Sequence, residues 1–339
     1  MHPAFQGIIT ILLGVGGCVA YFYLSNQFLD KVLFPPRGKN AGRNITRANI
    51  IRPWLFVLPA LLALGLYLAY PVVETLRLSL TNRVTLPDGT TSYTWAGLDN
   101  YNQMFGEPKF WEAMRNNIMW LLVVPACATG FGLLAAQLTD RIKWGNIAKS
   151  LIFMPMAISF VGAAVIFKLV YDTRPISQDQ IGVLNALYLY FGGTDPKAWL
   201  TIPIWNSFFL MAVLIWIQTG FAMVILSAAL RGIPEETIEA AIVDGANPFQ
   251  VFFKIKIPQI KGTIMVVWTT ITIVVLKVFD IVFAMTNGQW ETQVLANYMF
   301  DKLFRANDWG VGSASAMVIM VLVSPILVWN VRNARKEMR

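Results

Sequence analysis

Apolar residues in this chain come in long blocks rather than in alternating or one-sided stripes. Runs of about 20 residues, the length a helix needs to cross a bilayer, fall at about 7–25, 54–73, 116–138, 150–171, 203–229, 263–285 and 311–331, and they predict seven membrane spans. Between the fifth and sixth runs lies the one long polar segment with helical patterning, Ile233–Pro258 (IPEETIEAAIVDGANPFQVFFKIKIP). Pro234 suits a first helical turn, where its missing N–H would be unpaired anyway, and Glu235 and Glu236 suit the positive end of the helix dipole. Ile238, Ala241 and Ile242 are spaced to line one face, and Gly245 is placed to take the left-handed conformation that ends a helix near Asp244. Asn247 can cap a second helix, Pro248 can open it, Phe249, Phe252 and Phe253 give it an apolar stripe, and Pro258 is expected to end it. A short helix–turn–helix between two spans follows.

Within this hairpin Glu239-Ala240-Ala241, Gly245, and then Ile255, Ile257 and Pro258 resemble the EAA signature of binding-protein-dependent ABC importer permeases, with Ile257 where the family usually has leucine. The resemblance implies an all-α, polytopic membrane protein of about seven transmembrane helices, the type I ABC importer permease fold, with this hairpin as its cytoplasmic coupling loop. It also implies that Glu239, Ala240, Ala241, Asp244, Gly245, Ala246, Phe249, Ile255 and Pro258 meet a separate ATPase subunit. The alanines and glycine offer a surface for close approach. The three phenylalanines either pin the hairpin to its own chain or fill a groove of the partner.

Composition agrees with a membrane protein: of 339 residues 56% are hydrophobic and 14% charged, outside the usual soluble range on both counts. The net charge of +8 sits in short segments flanking the apolar runs, so it reads as topology and not as a nucleic-acid surface. Lys and Arg in 26–52, 139–149, 230–262 and 332–339 outnumber those in the intervening segments roughly two to one, which predicts the hairpin and C-terminus in the cytoplasm and the N-terminus outside. Val15-Gly16-Gly17-Cys18 faintly resembles a lipoprotein cleavage site, but the basic cluster follows the first run instead of preceding it, which favours an uncleaved anchor. Cys18 and Cys127 lie in apolar runs and the single histidine, His2, lies at the terminus. Neither a disulfide framework, a Cys/His metal site nor a histidine-based catalytic centre is expected. No G-x-x-x-x-G-K-[ST] phosphate loop occurs, so no cofactor is expected on this chain, and ATP with Mg belongs to the partner ATPase.

The expected organisation is an extra N-terminal span with a basic linker (1–52), a span and outer loop (53–113), an ABC transmembrane type-1 core (114–331) and a cytoplasmic tail (332–339). The outer loop carries turn signals at Pro87-Asp88-Gly89, and its Gly97-Leu98-Asp99-Asn100-Tyr101 resembles a "GL.NY" element of the family. Trp54, Trp205 and Trp329, near span ends, suit interfacial anchors.

Polar groups inside spans are expensive and mark cavities or partner helices. In the fifth span Trp216, Gln218, Thr219 and Phe221 interrupt an aliphatic run, with Gln218 and Phe221 on one face, whereas Leu226 is expected to face lipid. In the sixth, Thr269, Thr270 and Thr272 precede Lys277 and Asp280, spaced to neutralise each other either as a structural ion pair or beside a ligand. Phe279-Asp280 with Thr286-Asn287-Gly288 resembles the "FD…T.GGP" ending of the carbohydrate-uptake branch, with Gln289-Trp290 replacing Gly-Pro. The resemblance implies a sugar site at Trp216, Gln218, Phe221, Lys277 and Asp280, α-glucosides or related disaccharides as substrate, and a complex of a second permease, two ATPase copies and an external solute-binding protein. An importer of amino acids, polyamines or glycerol phosphate is the alternative, with an unpaired Lys277 as the mark of an anionic substrate. A secondary transporter using intramembrane charges is the rival from another class.

Overall fold

In the computed structural model, which describes residues 3–37, 40–85, 90–140 and 142–337, the apolar runs are helical. His2 and the Pro87-Asp88-Gly89 turn lie outside the described residues. Among the described residues five helices are long and apolar enough to cross a membrane, and two bent helix pairs bring the number to seven if each crosses as one broken span. The chain divides into two compact units, Met1–Glu74 and Thr75–Arg339.

In the first unit, α1 (Pro3–Phe28), extended by a π turn at Leu29–Leu33, lies against α2 (Ala41–Leu64). Phe22 stacks on Phe56 with ring centroids 4.8 Å apart, and the Tyr21 hydroxyl donates to the Leu55 carbonyl at 3.0 Å. At the connecting end the Arg52 guanidinium donates to both oxygens of Asp30, at 2.8 and 2.9 Å, and to Asn26. One planar cation with fork geometry thus ties both helices.

The second unit begins within α3 (Tyr70–Ser79), after which the expected all-α pattern is interrupted by a two-stranded antiparallel hairpin, β1 (Thr81–Thr85) and β2 (Thr91–Trp95), with Thr85 opposite Thr91. β-branched and aromatic residues, suited to a pleated surface, fill both strands. Asn100, at the start of α4 (Asp99–Gly106), is buried, and its amide donates to the carbonyls of Ser79 and Thr81 at 3.0 and 3.1 Å. The asparagine of the Gly97–Tyr101 element therefore satisfies backbone groups where α3 gives way to β1.

At the centre α5 (Pro108–Thr139) packs along α9 (Trp205–Arg231), and α13 (Lys261–Leu276) closes the core. Trp120 and Val124 of α5, Leu214 and Met223 of α9, and Ile271 of α13 are buried together. Leu226 belongs to this core, fully buried, and does not face lipid as expected. Its helix is apolar almost all round, so periodicity alone could not choose its inner face.

The fourth run is two helices, α6 (Gly145–Phe153) and α7 (Phe160–Val170), joined by a 3₁₀ turn at Met154–Ala157 and bent by 104°. Pro155 withholds a backbone donor, and Ser159 caps the new helix by accepting from the Gly162 N–H at 3.1 Å. The following segment, which includes α8 (Val183–Tyr190), is organised around buried Asn185. Its amide donates to the carbonyls of Asp172 and Lys197 at 2.9 and 3.0 Å, and its oxygen accepts from the Lys197 N–H at 2.9 Å and the Trp199 indole at 3.1 Å.

After α9 come α10 (Glu235–Val243), α11 (Pro248–Gln250), a π turn at Val251–Lys256 and α12 (Ile257–Gln259), then α13 at a bend of 72°. The chain finishes with α14 (Asp280–Met285), α15 (Leu295–Phe300) and α16 (Trp309–Glu337). Between α14 and α15, Asn287, Gly288, Trp290 and Glu291 all have positive φ. That loop is pinned by Asn116, whose amide donates to the Glu291 and Gln293 carbonyls at 2.8 Å each, by Lys109, which donates to the Gly288 carbonyl at 3.0 Å, and by Asn206, which donates to the Trp290 carbonyl. With Gln289-Trp290 in place of Gly-Pro, external side chains hold the left-handed residues in place.

Candidate functional site

The Ile233–Pro258 hairpin takes its shape from its own caps. Pro234 is the N-cap residue, so α10 starts at Glu235, and it ends at Asp244 with Gly245 left-handed at φ 82°. The Gly245 N–H donates to the Ile242 carbonyl at 3.0 Å and the Ala246 N–H to the Ala241 carbonyl at 2.9 Å, the paired bonds of a Schellman motif. Asn247 and Gln250 then form a reciprocal capping box, both bonds at 2.9 Å. Contrary to expectation, Pro258 does not end this arm; it opens the short α12 after the π turn, where its missing N–H is tolerated, and the break comes at Ile260.

Ala241 is buried and Ile238 half-buried, but Ile242, expected on the same stripe, is exposed beside Val243, which is 86% exposed. Glu239, Ala240, Asp244, Gly245 and Pro258 are also exposed, and Ala246 and Ile255 half-buried. Of the aromatic stripe, Phe252 is half-buried and meets Phe253 edge-on at 5.0 Å, while Phe249 and Phe253 are 76% and 60% exposed. Buried Val251 anchors the arm instead. The phenylalanines border a groove of about 300 Å³ shared with Leu134 and Leu138 of α5.

At the root of the hairpin sits an ionic cluster that charge counting did not single out. Asp140, the C-cap of α5, accepts from Lys149 of α6, from the Ser227 hydroxyl of α9 at 3.1 Å, and from Arg231, the last residue of α9, at 3.0 and 2.9 Å. Lys149 also donates to the Ser227 oxygen at 2.6 Å. Burial pushes the Asp140 carboxyl up, but the hydrogen bonds from Lys149 and Arg231 outweigh it and hold the group below its ordinary 3.8. The readable signal was a lone acid in the otherwise basic segment 139–149.

Along α9, Leu214, Gln218 and Phe221 fall on one stripe at i, i+4 and i+7. Gln218 is buried, and its side chain makes no hydrogen bond among the described residues; Phe221 is half-buried. Trp216 is not brought together with them: about 200° round the helix from Gln218, it packs edge-on against Phe167 of α7 at 5.3 Å.

The sixth span unwinds at Lys277–Phe279 between α13 and α14. Lys277 and Asp280 are both exposed, and among the described residues they form no ion pair with each other or with any other group, contrary to expectation. An i, i+3 spacing joins side chains only along a continuous helix. Both line a cavity of about 320 Å³ with Leu214, Val274, Phe279 and Phe160, the first residue of α7. The stripe through Gln218 and Phe221 runs from this cavity toward the hairpin. The hydroxyls of Thr269, Thr270 and Thr272 donate to carbonyls one turn back on their own helix, so they are satisfied locally.

The family model described as binding-protein-dependent transport system inner membrane component matches residues 128–334. The chain is 61% identical to the α-glucoside transport system permease protein AglF of Rhizobium meliloti, over 99% of each chain. It is 46% identical to the osmoprotective compounds uptake permease protein GgtC of Synechocystis, over 84% of this chain and 99% of that one. Its fold matches a crystal structure of a bacterial ABC transporter involved in the import of the acidic polysaccharide alginate, with a TM-score of 0.72 and 20% identity, over 89% of this chain and 100% of that one. Up to seven apolar spans, a capped and exposed hairpin between the fifth and sixth of them, and relatives of matching length together place the chain among the binding-protein-dependent ABC importer permeases, inner-membrane subunits that move a solute while a separate subunit hydrolyses ATP.

Proposed function

We propose that this chain is the permease subunit of an ATP-driven importer for α-glucosides or related disaccharides. The observation that carries the substrate class is the full-length likeness to a permease named for α-glucosides, 61% identical over 99% of both chains. The cavity chemistry fits. Lys277 and Asp280 present one unpaired charge of each sign next to aromatic Phe160 and Phe279. Sugar hydroxyls can accept from an ammonium and donate to a carboxylate, while a solute with net charge would meet one like charge. An amino-acid zwitterion also matches two opposite charges, and it is the second reading.

In this proposal the substrate touches Lys277, Asp280, Gln218 and Phe221, and Trp216 serves packing on α7. A second permease completes the path, and an external solute-binding protein delivers the sugar. Two ATPase subunits bind ATP with Mg, one docking on this hairpin through exposed Ile242, Val243, Phe249 and Phe253 beside Glu239, Ala240 and Gly245. The loop charge bias supports a cytoplasmic hairpin and C-terminus and an outer N-terminus.

Proteoliposomes holding the assembled complex test this reading. Uptake of a labelled α-glucoside should stop when ATP is withdrawn and persist when ionophores collapse the ion gradients. Unlabelled α-linked disaccharides should compete and amino acids should not. Gradient-driven uptake without ATP would reject the ATP-driven reading, and competition by amino acids alone would reject the sugar.

A further inference from the structure

Asp140 occupies a junction that no single span explains. It caps α5; Arg231, which it holds through two hydrogen bonds, is the last residue of α9, one residue before Gly232 and two before Ile233 at the hairpin root. α9 is also the helix that carries Leu214, Gln218 and Phe221. Lys149 lies on α6, the first arm of the span bent by 104°, whose second arm, α7, opens with Phe160 at the cavity. One carboxylate therefore touches the base of the hairpin, the helix lining the path and the bent span that borders the same cavity. The Asp140 and Lys149 side chains are 20% and 14% exposed, so bulk water screens their attraction little. Without the carboxylate, two cations would face each other across Ser227.

We infer that Asp140 is a positioning residue for energy coupling: it clamps the last turn of α9 to α5 and α6, so that displacement of the hairpin shifts all three helices instead of bending the chain at Gly232. The inference rests on the hairpin being the ATPase dock.

The test uses the full complex, with both permeases, the ATPase subunits and the binding protein, in proteoliposomes, and compares Asp140→Asn, Asp140→Glu and Arg231→Gln with the wild type. Asp140→Asn keeps the shape and removes the charge. In complexes matched for subunit ratio and assayed well below their thermal midpoints, the stimulation of ATPase by loaded binding protein should fall by about fivefold or more, and uptake by about tenfold. Asp140→Glu, which keeps a carboxylate, should recover most of both. Arg231, largely exposed, can be changed without opening the core, so Arg231→Gln should show the same loss even where Asp140→Asn fails to assemble. Stimulation and uptake near wild-type levels in Arg231→Gln, or in an assembled Asp140→Asn, would overturn the inference. So would activity that falls only with complex abundance. Gly245→Val run in parallel separates the two readings: normal coupling there rejects the hairpin as the dock, whereas uncoupling there with normal Asp140→Asn rejects only the clamp.

Discussion

Gly132 of α5 and Ala222 of α9 meet so closely that a β-carbon on Gly132 would lie 2.4 Å from that of Ala222 and 2.9 Å from the Met223 backbone nitrogen. Two residues before Ala222, a β-carbon on Gly220 would lie 2.5 Å from the Ile152 carbonyl oxygen of α6. Small residues let three helices converge at the level of Gln218 and Phe221. Because the obstructing atoms include backbone, no side-chain rotation relieves the clash. Gly132→Val should destabilise the permease by about 1–3 kcal/mol through overpacking, read as a lower thermal midpoint in detergent. An unchanged midpoint would mean that α5 and α9 do not approach this closely.

Gly245 makes the opposite case. At φ 82° a β-carbon added to it would have no neighbour within 4 Å, so a side chain there meets strain and not a clash. Gly245→Val should abolish uptake while membrane insertion survives, whereas Gly245→Asn, which tolerates a left-handed backbone, should retain much of it. Comparison of abundance-normalised uptake in the two variants checks this; equal loss in both would point to crowding by a partner.

On the path, Gln218→Ala should reduce uptake by about tenfold or less, the worth of one hydrogen bond at about 0.5–1.5 kcal/mol. Phe221→Ala should do at least as much. Trp216→Ala, which strips a contact with Phe167, should lower stability more than substrate affinity. Leu226→Ala would open a core cavity costing about 2–5 kcal/mol, so exposed Leu122→Ala is the proper neutral control. Wild-type uptake in both Gln218→Ala and Phe221→Ala would move the site elsewhere.

A group whose folded pKa is depressed contributes stability above its unfolded pKa and loses it as pH falls through the folded value. Asp140 is held below 3.8 by Lys149 and Arg231 despite burial. The midpoint difference between wild type and Asp140→Asn should therefore stay constant across neutral and mildly acidic pH and narrow only below about pH 4. Narrowing near pH 6 would show that the carboxyl is not depressed.

The charge bias gives a topological outcome. A reporter active only outside the cytoplasm should be silent after the C-terminus and active within 286–310. Activity at the C-terminal fusion would invert the orientation.

The number of spans and both hairpin caps were legible because they depend on local chemistry: block length, Asn247 three residues before Gln250, and a glycine after a helical run. The break after α6 was half-legible, since Pro155 and Ser159 are stop and start signals that hydropathy averages away. The unwinding at Lys277–Phe279 was not, because Val278 and Phe279 suit a helix as well as a break. Depth in the membrane groups Trp216 with Gln218, but depth ignores rotation about the helix axis. Leu226 reads as lipid-facing from the sequence because a helix surrounded by apolar partners and one surrounded by acyl chains carry the same residues.

Asn185 spends both ends of its amide on the backbone of its own loop. A segment stapled this way keeps little conformational freedom to lose when another surface comes to rest on it. Cutting the staple would return that freedom to the loop and raise the ordering cost of any contact made there.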